Sequence, residues 1–202
     1  MAPPTDARFA RAVAAFDAAH ARDPRGRAAA YHAALARWVD AHVPDAPEPM
    51  RLAARAQHLE RWAVPRESFG AGVLEYKKWR ATAARHTSTR ATELLAEAGY
   101  EPAVCERVAD FVLKRGLRGD PEVAAFEDAI CLTFLELDAL EFARRPVGET
   151  GEPRSADEIG SILDKTLAKM TERGRAVAVR ADALPAPIVE LVRARVEALT
   201  EK

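Results

Sequence analysis

Residues 122–143, EVAAFEDAICLTFLELDALEFA, decide the fold. Apolar side chains recur there at steps of three and four, the period that lines one face of an α-helix, and nothing alternates at period two. Asp120-Pro121 opens the run with a capping side chain and a proline suited to a first helical turn. This is the most apolar stretch of the chain, and its spacing predicts a helix from 121 to about 143 at the centre of the core.

The same period extends outward from it. Helices are expected at about 6–22, 27–42, 49–62, 72–98 and 102–115. They are divided by Asp23-Pro24-Arg25-Gly26, by Pro44 and Pro47, by Pro65 with Gly70 and Gly72, and by Gly99 and Gly116. On the other side, RRPVGETGEPRS at 144–155 is dense in breakers and charge and reads as a mobile loop. Ser155 and Glu158 form a capping-box pattern ahead of IGSILDKTLAKM, and Pro185 and Pro187 open a last helix to about 199. The reading is all-α: one helical bundle of about seven to eight helices over residues 1–202.

Charge and composition narrow the function classes. Thirty Lys and Arg nearly cancel thirty-one Asp and Glu, and no uninterrupted basic block appears. The long-range field of a general nucleic-acid binder is therefore missing. The amino terminus, MAPPTDARFARAV, carries no apolar segment of a secretory signal. No apolar run approaches the roughly 18–20 residues that span a bilayer, so a reducing cytoplasm is the expected setting and a membrane is not an expected partner. Cys105 and Cys131 lie among apolar residues at helical spacing, outside any CxxC pair, and are expected as buried thiols. Alanine-rich amphipathic helices often pair, which suggests a homodimer.

Ionisable residues at positions where the helical period demands apolar ones are the candidates for chemistry, because an unpaired buried charge is costly. Glu127 and Asp128 meet that test: Asp128 has Ala124, Ala125, Cys131 and Leu132 as its three- and four-residue neighbours. His58 sits between an apolar stripe and the flanking Arg55 and Arg61, just before a Pro/Gly loop. His86 lies on a more polar stripe with Thr82, Thr89 and Arg90, and His32 adjoins Tyr31. His20 and His42 stand near helix ends, where the dipole or plain exposure accounts for them. HExxH, GxxxxGK[ST], GxSxG and the dinucleotide glycine fingerprint are all missing. What remains is a set of imidazoles and carboxylates on separate helices, the kind of set that binds a divalent ion and activates a water.

The segments RLAARAQHLERW, YKKWRATAARH and FEDAICLTFLE, in that order, resemble the family known as domain of unknown function 4202, from Phe9 to about Leu191. His58, Trp62, Trp79, Arg80, His86, Glu127 and Asp128 fall in those segments. A looser resemblance is to the HD-domain metal-dependent phosphohydrolases, all-helical proteins that hold metal with His, a His-Asp doublet and a distant Asp. His32, His58, His86 and Asp128 follow that order, but the doublet is broken at Leu59. In a continuous helix Glu60 points about 200° around from His58, so this resemblance implies one metal rather than two.

Two functions follow. The first is a phosphohydrolase acting on a nucleotide or other small phosphate ester, with His58, His86 and Asp128, joined by His32, holding Mn, Mg, Fe or Zn. Glu127 then orients a ligand or accepts a proton, and Arg55, Arg61, Lys78, Arg80 and Arg85 contact phosphate. The alternative is a non-catalytic helical binding module in which Trp38, Trp62 and Trp79 are core or partner contacts and the His/Asp set is a buried polar network.

Overall fold

The computed structural model describes residues 7–144 and 154–200. Regular structure among them is wholly helical, with ten α-helices, two 3-10 turns and no strand. The chain forms two compact units, Met1–Asp40 with Pro44–Gly116 and Ala41–Val43 with Leu117–Lys202.

The first unit contains α1 (Ala7–His20), most of α2 (Ala28–His42), α3 (Glu48–Ala56), the 3-10 turns Arg61–Ala63 and Arg66–Ser68, α4 (Val73–Glu97) and α5 (Pro102–Leu113). On α4 the buried positions are Ala83, Thr87, Ser88, Ala91 and Leu95. The small side chains among them, Ala83, Thr87, Ser88 and Ala91, allow α5 to lie close against α4, where it contributes Cys105, Val108, Phe111 and Val112. Phe16 of α1 and Leu52 of α3 are fully buried, each burial stabilising the fold by about 1.5–3 kcal/mol. Gly99, at φ +89°, follows the end of α4 in the left-handed conformation that closes a helix without a Cβ penalty.

The second unit holds α6 (Pro121–Leu137), α7 (Ala139–Arg144), α8 (Ala156–Leu167), α9 (Glu172–Ala178) and α10 (Ala186–Thr200). Asp120 caps α6 by accepting hydrogen bonds from the backbone of Glu122 at 2.9 Å and Val123 at 3.2 Å. Val123, Phe126, Ala129, Leu132 and Leu135 make α6 a buried helix, as its composition requires. The capping box of Ser155 and Glu158 is present at the start of α8. Both cysteines are buried free thiols.

Three features depart from the sequence expectation. The helix expected over 49–62 ends at Ala56, and residues 57–60 form turns before the 3-10 turn at Arg61. The helix expected over 121–143 breaks at Asp138, where φ swings to −113°. The seven-residue α9 was not expected, being too short to show a period. Of the loop expected over 144–155, residues 145–153 lie outside the described residues. No helix of the described residues is long and apolar enough to cross a membrane.

Candidate anion site

The early end of α3 builds a site. A backbone that leaves helical geometry must find other partners for its polar groups, and residues 58–60 find them in side chains of neighbouring elements. The His58 N–H donates to His32 Nε2 at 3.2 Å. The Leu59 carbonyl accepts the Thr87 hydroxyl at 3.0 Å, while the Leu59 side chain is fully buried. Glu60 occupies the left-handed region at φ 49°, and its carboxylate pairs with Arg90 Nε at 2.9 Å and with Arg22. Side chains from α2, from α4 and from just beyond α1 thus fix the turn that presents His58 and Arg61.

The histidines behind this turn are neutral. His32 Nδ1 lies 2.7 Å from the Ala28 carbonyl, which can only accept, so Nδ1 carries the proton and Nε2 is the acceptor for His58. Burial first, and then the neighbouring His20, push its pKa down to about 3. Both ring nitrogens of His32 are therefore engaged. His20 stacks on it with centroids 3.9 Å apart and donates Nε2–H to the Arg55 carbonyl at 2.8 Å. Burial lowers the His20 pKa as well, against smaller opposing contributions.

His58 lies at the front of this stack, its ring 4.8 Å from that of Tyr31. Burial holds its pKa well below 6.5, followed in effect by Arg61, His32, Lys114 and Arg80. Of those groups the cations Arg61, Lys114 and Arg80 come from the 3-10 turn, the end of α5 and α4, so positive charge converges on one imidazole from three elements. The Arg61 guanidinium stands 4.6 Å over the Trp79 ring, and Trp79 is anchored by its own N–H to the Val64 carbonyl at 2.9 Å. Burial, and then Arg80, lower the pKa of Arg61. Arg80 lies 5.9 Å from the Tyr76 ring centroid. Among the described residues neither Arg61 nor Arg80 forms an ion pair with a carboxylate. Two guanidiniums without a carboxylate partner beside a neutral imidazole are chemically suited to an anion with several oxygens.

A family model described as domain of unknown function (DUF4202) matches residues 10–192. The chain belongs to that family. The match spans every residue of this candidate site in the DUF4202 chain. No curated protein and no solved structure matches it.

Of the residues singled out from the sequence, His32, His58, Arg61 and Arg80 meet in the first unit of this DUF4202 protein. The Arg55 side chain acts on His20 and His32, lowering both pKa values. Lys78 is exposed and paired with Glu75 at 2.6 Å, and Arg85 is exposed and bonded to Thr82 at 3.2 Å. His86 is half-buried on α4, with Nε2 buried and without a hydrogen-bond partner.

Glu127 and Asp128 are both buried in the second unit, as their placement among apolar neighbours suggests. Asp128 Oδ1 accepts the Thr171 N–H at 2.8 Å, and Oδ2 accepts the Thr171 hydroxyl at 2.5 Å and lies 3.0 Å from His42 Nε2. Thr171 in turn caps α9 by accepting from the Gly174 N–H at 3.0 Å, and the His42 carbonyl accepts from Arg173 at 2.7 Å. Among the described residues no group of three or more His, Cys, Asp or Glu is arranged to hold a metal ion. Sequence reasoning passed over His20 and His42 as helix-end residues, although His20 follows the apolar Ala12 and Phe16 by eight and four residues and His42 follows Leu35 and Val39 by seven and three. Those intervals were the available signal.

Proposed function

We propose that this chain binds a small phosphate-bearing molecule in its first unit, with Arg61 and Arg80 gripping the phosphate oxygens and His58 beside them. The observation that carries this reading is the pair of guanidiniums with no carboxylate partner among the described residues, one of them half-buried against Trp79. A guanidinium drawn partly out of water without a counter-charge gains from a ligand that supplies that charge, and the exposed Arg80 can reach the same ligand. An arginine meets phosphate through two parallel hydrogen bonds, a geometry that a lysine does not offer.

His58 adds a proton-linked contribution. In the free protein its imidazole is neutral, because burial first, and then the surrounding cations, oppose protonation. A bound phosphate screens those cations and supplies negative charge, so it raises the pKa of the imidazole. Binding, rather than metal-assisted hydrolysis, is what the geometry supports best. Both oxygens of Asp128 are already engaged by Thr171, one of them also facing His42, and both nitrogens of His32 are engaged by backbone groups.

The test is titration of the full chain with inorganic phosphate or pyrophosphate, followed calorimetrically and by thermal melts. Saturable binding is expected, weakened about 10- to 100-fold by Arg61→Gln or Arg80→Gln, the loss that accompanies removal of a charge-assisted contact of about 1.5–3 kcal/mol. A wild-type chain that shows neither heat nor a melting shift at millimolar anion would overturn the reading. Repeating the titration with Mn²⁺ or Zn²⁺ would show whether a divalent ion contributes.

A further inference from the structure

We infer that the phosphate-bearing ligand also carries a flat aromatic group, as a nucleoside phosphate does, and that the exposed ring of Tyr76 is the surface on which that group stacks. The inference rests on the phosphate reading above and names the ligand class for the same site.

Its starting point is the first two turns of α4. Val73, Leu74 and Tyr76 are 72%, 66% and 45% exposed, three of the four large apolar side chains left in solvent among the described residues. A loop rich in glycine leads into them, with Gly72 at φ +94°. Residues three and four apart share a helix face, so Val73, Tyr76, Trp79 and Arg80 form one continuous stripe. The apolar surface therefore runs directly into the cationic cluster.

The rings in that stripe differ in what they already do. Trp79 is spent: its N–H is tied to Val64 and the Arg61 guanidinium covers its ring at 4.6 Å. Tyr76 is tilted by 38° against Trp79 with centroids 5.6 Å apart, and Arg80 stands 5.9 Å from its ring. Tyr76 nevertheless stays exposed. A site for bare phosphate has no use for an exposed aromatic side chain at its rim. A ligand with a phosphate at one end and a base at the other uses both parts, since the guanidiniums take the charge and the ring takes the base. Aromatic stacking tolerates any base because each has a π-face, and removing such a ring lowers affinity roughly five- to 100-fold.

The experiment compares ribose 5-phosphate with adenosine, guanosine, cytidine and uridine monophosphates by calorimetric titration of the full chain. These probes carry the same phosphate with and without the base. At least one nucleotide should bind about tenfold or more tightly than ribose 5-phosphate, and Tyr76→Ala should bring the two to equal affinity. Arg61→Gln should weaken both kinds of ligand. Ribose 5-phosphate binding as tightly as every nucleotide, or an advantage that survives Tyr76→Ala, would overturn the stacking inference and leave the phosphate reading standing. Failure of ribose 5-phosphate, the nucleotides and inorganic phosphate alike to bind would overturn both.

Discussion

His32 illustrates how much chemistry a single side chain's surroundings impose. The Ala28 carbonyl on one nitrogen and the His58 N–H at the other permit only one neutral tautomer. Glutamine at this position can still present an oxygen to the His58 N–H, but it cannot titrate. His32→Gln is therefore expected to leave a folded chain whose stability depends less on pH, by about one proton, in denaturant unfolding below pH 6.5. A second residue-level constraint is Gly174. A Cβ added there would fall inside contact distance of the Asp128 carboxylate, which already bonds Thr171 and faces His42. Gly174→Ala should cost about 3 kcal/mol in urea unfolding, because it forces apart a buried polar group and its partners. These two constraints were not legible in the sequence. A glycine inside a short helix and a histidine next to a tyrosine give no sign of the atoms that will face them from more distant parts of the chain.

Elements were read better than contacts, and the reason lies in what sets each. The long helices α4, α5 and α6 repeat apolar residues over enough turns for the period to be plain, and Pro102, Asp120-Pro121 and Ser155 with Glu158 mark the starts of α5, α6 and α8 by local chemistry. The end of α3 was misplaced because RLAARAQHLERW keeps a helical pattern through the break. The turn there is held by non-local partners, Thr87 on the Leu59 carbonyl and His32 on the His58 N–H. Thr87→Val removes the first of these and leaves the Leu59 carbonyl unpaired. It should lower stability by about 1–3 kcal/mol and also weaken phosphate binding, since the same turn carries His58 and Arg61. For α9 the cap matters more than the period. Thr171→Val deletes both the cap and the hydroxyl bond to Asp128, and should destabilise by about 2 kcal/mol in thermal or urea unfolding, whereas Thr171→Ser should retain most of the stability.

At the scale of the whole molecule, the candidate site was partly legible. His58, Arg61 and Arg80 stand out by residue type and by nearness to a Pro/Gly loop, but their convergence depends on how α2, α4 and α5 pack. The neutral histidines also give the molecule a pH dependence. His20, His32 and His58 have folded-state pKa values below the 6.5 of an exposed histidine. As pH falls below 6.5 the unfolded chain takes up protons that the folded chain refuses. Stability is therefore fully present above that pH and declines through the acid range, down to about pH 3 for His32. Each such group adds a slope of up to about 1.4 kcal/mol per pH unit.

The measurement that tests the central claim most directly is the titration of His58 by nuclear magnetic resonance of imidazole-labelled protein, with and without inorganic phosphate, its signal assigned by loss in His58→Gln. A cationic anion site predicts a pKa well below 6.5 in the free protein that rises when phosphate is added, and that in Arg61→Gln rises only at about 10- to 100-fold higher phosphate. An ordinary pKa near 6.5 that phosphate does not move would contradict it.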